Sequence, residues 1–521
     1  MNKYRNILCA LALAGVILNM TSCMENKNPF YSEYNTPYQT VPFNKIKLEH
    51  YEPALMEGIK QHTAEVEAII TNPEAPTFEN TIVALEYAGS LLDRVITVFF
   101  TLNSADTSDE MQELAQKLSP MLTEHSNNIS LDERLFARVK AAYESTDMST
   151  LTTEQQRLLQ KCYDSFARNG ANLSEEGKAK YRELTTELSK STLAFGQNML
   201  KATNAYSLNI TDSTRLAGMP ESALEAAAQT AKEKGQEGWT FTLHAPSYSP
   251  VMMYCEDRNL RRELYMAYNT QNIQDNENNN EELVKKIANL RLEIAQLLGY
   301  ESHADYVLEN RMAENASNVN NLLDQLLKAY LPSAQEEVKE VQEIAARTEG
   351  KDFELMPWDW SFYSEKLRVE RYSLNDEMVR PYFKLENVTN GVFGLAPRLY
   401  GITFVENKDI PVYHPDVKAY DVLDKDGSFL AVIYTDFFPR ASKRSGAWMT
   451  SFREQYKQDS IDNRPHVSIT MNFTKPTDTK PALLTQDEVE TFLHEFGHAL
   501  HGIFSATTYP SMGGTSVYRD F

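Results

Sequence analysis

From residue 47 to about 203 the apolar positions recur at intervals of three and four, as over 54–70, 81–102 and 174–200. That spacing lines one face of an α-helix and predicts a helical lobe over 41–203. The pattern then changes. Tyr206-Ser207-Leu208-Asn209-Ile210 and Trp239-Thr240-Phe241-Thr242-Leu243 alternate, which predicts two short paired strands, with a helix over 221–234 between them. Helical spacing returns over 281–347 and 360–372. Residues 411–435 alternate again and turn at Asp424-Lys425-Asp426-Gly427, a hairpin signal. The Asp-x-Asp-Gly there lacks the remaining spacing of a calcium loop, so a turn is the expectation. Residues 467–473 read as one more strand, expected at a sheet edge. Residues 24–40, rich in Asn, Pro, Ser and Tyr, read as a flexible tether.

One predicted helix carries chemistry as well as packing. Thr485-Gln486-Asp487-Glu488 reads as the capping box that opens it. Val489, Phe492, Leu493, Phe496 and Leu500 then form an apolar stripe. At about 100° per residue that stripe lies nearly opposite His494 and His498. With Glu495 between them, these two histidines complete the pattern His-Glu-x-x-His. Two imidazoles four residues apart on one helix face can reach the same metal ion. Zinc held by neutral imidazoles with one position open lowers the pKa of a bound water to about 7. Glu495 is placed to take that proton and pass it to a leaving amine, which is peptide-bond hydrolysis. The plainer alternative is two surface histidines on an ordinary amphipathic helix.

A third ligand is not evident. His501 lies on the same face but about 10 Å along the axis from His494, too far to share one ion, so a satisfied or solvent-facing role is expected for it. His501 and Phe504 stand where a metzincin would carry Gly and His.

The sequence around this helix resembles the thimet oligopeptidase family of zinc metallopeptidases. The residues that carry the resemblance are His494-Glu495-Phe496-Gly497-His498-Ala499-Leu500-His501-Gly502, Trp358-Asp359-Trp360-Ser361-Phe362-Tyr363 and Gly446-Ala447-Trp448-Met449. The stretch from Asp409 to Val417, Pro481-Ala482-Leu483-Leu484 and Arg519-Asp520-Phe521 match as well, and the likeness runs from about residue 36 to the last. It implies a mainly α fold: two helical lobes around a deep substrate channel, with a small antiparallel β-sheet near the metal helix. It implies one Zn(2+) per complete active site, and substrates restricted to short unfolded peptides. His494 and His498 are the expected ligands and Glu495 the expected general base.

In the family the third ligand is a Glu that closely follows the Arg-Asp-Phe stretch, with a tyrosine and a histidine for the oxyanion farther on. The sequence stops at Phe521, so these groups are expected beyond it, in a longer protein from which this chain is a fragment. The reading that competes with an enzyme is a catalytically silent peptide-binding lipoprotein. The stretch from Asp409 to Val417 favours release of C-terminal dipeptides over the internal cleavage of oligopeptidase relatives. Weaker candidates for contact with substrate are His414, which burial beside the hairpin explains equally well, and Gly513 and Gly514, which a plain turn explains equally well. Arg440, Lys443 and Arg444 could attract a substrate carboxylate. The strand over 467–473 could pair with substrate backbone.

Composition narrows the partners. Seventy-three acidic residues against 51 basic give a net charge of −22, which disfavours nucleic acid as a ligand. Scarce Gly, 20 in 521 residues, suits a helical chain too long for one compact core. Residues 1–22 read as a secretory signal, with Lys3 and Arg5 ahead of a short apolar run. Met20-Thr21-Ser22-Cys23 resembles a bacterial lipobox, which makes Cys23 the lipidation site and 23–40 the tether. The catalytic metallopeptidase domain is expected over 204–521. The expected location is the periplasm, lipid-anchored to a membrane, with plain secretion to the periplasm as the alternative. The protein is expected to be a monomer that meets the membrane only through its lipid. Cys162 and Cys255 are too few for a disulfide framework.

Overall fold

The computed structural model describes residues 28–521, so the predicted signal segment and Cys23 lie outside the described residues. The chain is mainly α-helical, as its periodicity predicts. The N-terminal part folds into a run of helices that includes Leu48–Ile70, Ser90–Ala105, Asp109–Ser130, Glu133–Ser145, Thr153–Arg168 and Glu175–Ala205. Ser108, Asp132, Thr152 and Ser174 start four of them by accepting hydrogen bonds from first-turn amides. No described helix is long and apolar enough to cross a membrane.

Nine short strands follow among the described residues. β1 (Leu208–Ile210) and β2 (Trp239–Phe241) pair antiparallel, with helix Glu221–Glu233 between them, as the alternation predicts. The main sheet contains β3 (Thr403–Glu406), β4 (Lys418–Leu423), β5 (Phe429–Asp436), β6 (Trp448–Arg453) and β9 (His466–Thr470). β7 (Tyr456–Gln458) and β8 (Ile461–Asn463) form a separate ribbon. The β4–β5 hairpin turns where predicted: the Asp424 N–H donates to the Ser428 carbonyl, and Gly427 adopts φ +82.

Two expectations about the sheet need correcting. Its order is β3-β4-β5-β9-β6, and β5 and β9 run parallel, so it is mixed rather than purely antiparallel. β9, which begins the stretch expected at an edge, is interior, and β6 takes that edge. Alternation shows that a segment is a strand but not who its neighbours are. Here the chain forms β6, β7 and β8 before returning as β9, which inserts between β5 and β6.

The sheet is covered on both faces, and period two along β5 shows how. Val432 and Tyr434 point into a core shared with Tyr51, Leu55, Val95, Phe99 and Leu118 of the N-terminal helices. Ala431 and Ile433 point the other way, toward helices Leu385–Leu399 and Gln486–Ile503. At the end of β5 the fully buried Asp436 accepts from Arg440 at 2.7 Å, Lys443 at 2.7 Å and the Tyr413 hydroxyl at 2.8 Å. Arg440 also reaches Asp106 at 3.2 Å and ties the strand to the N-terminal helices.

The expected flexible tether is also corrected over its described part. Phe30 is fully buried among Tyr34 and Tyr51, and Tyr38 stacks on Phe429 with centroids 3.7 Å apart. Three aromatics that find apolar partners outweigh the loop-forming Asn, Pro and Ser around them.

Candidate metal centre and active site

Helix Gln486–Ile503 opens on the predicted capping box. The Thr485 hydroxyl accepts from the Glu488 N–H at 3.2 Å, and a Glu488 carboxylate oxygen accepts from the Thr485 N–H at 2.8 Å. Glu488 also accepts from the Thr474 N–H at 2.6 Å, which fastens the helix to the chain leaving β9. The buried face holds Phe492, Phe496, Ala499 and Ile503. Leu493, counted in the predicted stripe, is instead 43% exposed, because it sits on the flank between the packed face and the ligand face. Gly502 was not singled out by that stripe, yet it sets the helix's distance from the sheet. A Cβ there would lie 2.9 Å from Met449 Cε and 3.0 Å from Val467 Cγ1.

His494 and His498 are exposed on the opposite side. Their Nε2 atoms stand 3.2 Å apart, with ring planes at 81°. Two nitrogens each about 2.0–2.1 Å from a tetrahedral zinc sit about 3.4 Å from one another. The pair therefore has the separation of two ligands to one ion. Among the described residues no group of three or more His, Cys, Asp or Glu is gathered around a metal position, and the donors that fit zinc by separation are the His494 and His498 pair. His501 is exposed in the last turn, as its spacing suggests.

Glu495 is only 6% exposed, tucked between the helix and the sheet. Burial raises its carboxyl above the ordinary range, opposed by His494, His498 and the Met449 N–H. The Met449 contact brings edge strand β6 next to this carboxylate. The sequence contains Gly446-Ala447-Trp448-Met449 as a recognisable stretch, but its edge position was not readable there.

The weaker candidates separate. The His414 ring accepts from the Asp416 N–H at 3.2 Å, closing a turn ahead of β4, and it joins no residue of the site helix. Gly513 is buried, and a Cβ on it would meet Gln455 O, Ser505 Oγ and Thr507 Oγ1, each at 3.1 Å. Gly514 has φ +53 and packs against Gly502 and Glu454. Both glycines serve a turn pressed onto the end of the site helix. Arg440 and Lys443 are engaged by Asp436, so neither is open to a substrate carboxylate. Among the described residues Cys162 and Cys255 form no disulfide.

The model of peptidase family M3 matches residues 251–521, which contain this helix. Over 502 residues the chain is 39% identical to a dipeptidyl carboxypeptidase of Escherichia coli strain K12, covering 96% of this chain and 73% of that protein. It is 36% identical over 486 residues to oligopeptidase A of the same strain, covering 92% and 71%. A thimet-like oligopeptidase of Dictyostelium discoideum is 29% identical over 489 residues, covering 91% and 71%. These likenesses extend through the N-terminal helices, well beyond the motif, and they do not favour a silent binding protein. The chain belongs to peptidase family M3, and it is a metallopeptidase.

Proposed function

We propose that this protein hydrolyses short peptides with a zinc ion held in part by His494 and His498, and that it releases dipeptides from their C-termini. The observation that carries the chemistry is the convergence of the two Nε2 atoms beside a buried carboxylate. Zinc, when bound, supplies a Lewis acid for the scissile carbonyl and a lowered pKa for water. Glu495 holds and moves the proton: its carboxylate takes one from the attacking water and delivers it to the departing amine. Burial serves this role, since a carboxyl raised toward neutrality is a better match for proton transfer at the working pH. Edge strand β6 offers unpaired backbone beside Glu495, where an extended peptide can lie.

The dipeptidase assignment draws on the likeness to dipeptidyl carboxypeptidase, and the slightly lower likeness to oligopeptidase A keeps internal cleavage as the second reading. Replacing Glu495 with Gln should cut turnover about 10²- to 10⁴-fold while the zinc content stays unchanged. Turnover near the unmodified rate in Glu495→Gln would remove Glu495 from the chemistry.

We also infer attachment to a periplasmic membrane face through Cys23. The packed chain is described from Asn28 onward, and five extended residue steps span at most about 18 Å. The catalytic domain would therefore sit close to the bilayer. Cys23→Ala should move the protein from the membrane fraction to the soluble fraction, and an unchanged partition would count against the anchor.

A further inference from the structure

β6 is an edge strand, so among the described residues one side of its backbone has no strand partner. A peptide added antiparallel runs opposite to β6, which places its C-terminal residues toward the strand's first residue, Trp448. The segment just before that point is braced by both halves of the molecule. The Arg444 N–H donates to the Ser104 carbonyl at 2.9 Å and the Thr107 N–H to the Ser442 carbonyl at 2.8 Å. Asn204 Nδ2 donates to the Ala441 carbonyl at 2.8 Å. Asn472 Nδ2 donates to the carbonyls of Arg444 at 3.0 Å and Gly446 at 2.7 Å.

This rigid loop carries three cations, and two are already neutralised. Arg440 pairs with Asp436 and Asp106, and the buried Lys443 pairs with Asp436. Arg444 is different. Its guanidinium lies over the Trp448 ring, 4.7 Å from the centroid, and among the described residues no acidic side chain pairs with it. A guanidinium held over an aromatic ring in this way keeps N–H donors available to a carboxylate. Trp448 immediately precedes Met449, whose N–H meets Glu495. An extended chain advances about 3.4 Å per residue, so the carboxylate of a two-residue leaving group lies about 7 Å past the cut bond. The contact with the Trp448 ring holds Arg444 beside the residue that precedes Met449, on the side toward which the C-terminus of an antiparallel peptide runs.

We propose that Arg444, stacked on Trp448 at the start of edge strand β6, binds the C-terminal carboxylate of the peptide substrate and so sets the cut two residues from its end. This inference rests on the dipeptidase reading given above. The test is equilibrium binding of a fluorescently labelled hexapeptide with a free C-terminal acid, and of its C-terminally amidated twin, to the full chain carrying Glu495→Gln. Cleavage is about 10²- to 10⁴-fold slower in that background, so binding is read before the labelled peptides are cut. The acid should bind about 10- to 100-fold tighter than the amide. Adding Arg444→Met should abolish that difference while leaving affinity for the amide unchanged, which also shows that the variant is folded. Arg444→Lys should retain part of the difference. If the difference persists in Arg444→Met, the role of Arg444 is overturned and the dipeptidase reading stands. If Glu495→Gln alone shows no preference for the acid, the dipeptidase reading falls and takes this inference with it.

Discussion

His494, Glu495 and His498 show how much chemistry a five-residue spacing can state in advance. The helix turns about 100° per residue, so their sequence order already places two imidazoles together. Burial is the part that spacing does not give. Glu495 is enclosed because β6 lies against it, a contact made across 46 residues of sequence. His466 makes a similar point outside the site. It is 1% exposed at the start of β9, its Nε2 has no hydrogen-bond partner among the described residues, and burial holds its pKa well below the ordinary value of 6.5, with Arg453 acting in the same direction. The unfolded chain therefore takes up a proton below pH 6.5 that the folded chain refuses. Stability is lost as pH falls below 6.5 and continues to fall down to the folded pKa, by at most about 1.4 kcal/mol per pH unit from this group. Denaturant melts from pH 7.5 to 5 should show that loss, and His466→Gln should flatten it. A slope identical in both proteins would exclude His466 as its source.

Among the elements, the site helix was the most legible. Its capping box, its buried face and its ligand face all follow from residues 485–503, and only Leu493 departs from the predicted stripe. The sheet was less legible. The hairpin of β4 and β5 is local and could be placed, whereas the insertion of β9 beside β5 is a long-range pairing that alternation does not encode. Gly502 joins the two elements. It lets the helix approach β6 and β9 closely enough for Glu495 to meet the Met449 N–H. Gly502→Val should overpack that contact, cost about 1–3 kcal/mol by chemical denaturation, and lower turnover by moving Glu495 away from β6. Unchanged stability together with unchanged turnover would show that the spacing between helix and sheet is not set there.

At the scale of the whole molecule, the helical N-terminal part was legible from periodicity, but its relation to the sheet was not. Val432, Tyr434 and Phe452 share a core with Tyr51, Leu55 and Phe99, so the N-terminal helices form one wall of the catalytic sheet. Asp436, Arg440 and Asp106 reinforce that junction with a chain of buried and half-buried charges. Residues 28–40 read as linker from composition alone, and they fold because Phe30 and Tyr38 find partners far along the chain. The protein proposed above is a metal-dependent enzyme that works inward from a peptide's C-terminus. Mass spectrometry of an unblocked decapeptide incubated with the zinc-loaded protein tests that most directly. Successive loss of C-terminal dipeptides is expected, arrested by a chelator and resumed when zinc is restored. Internal fragments at the earliest times, or turnover that ignores the chelator, would contradict it.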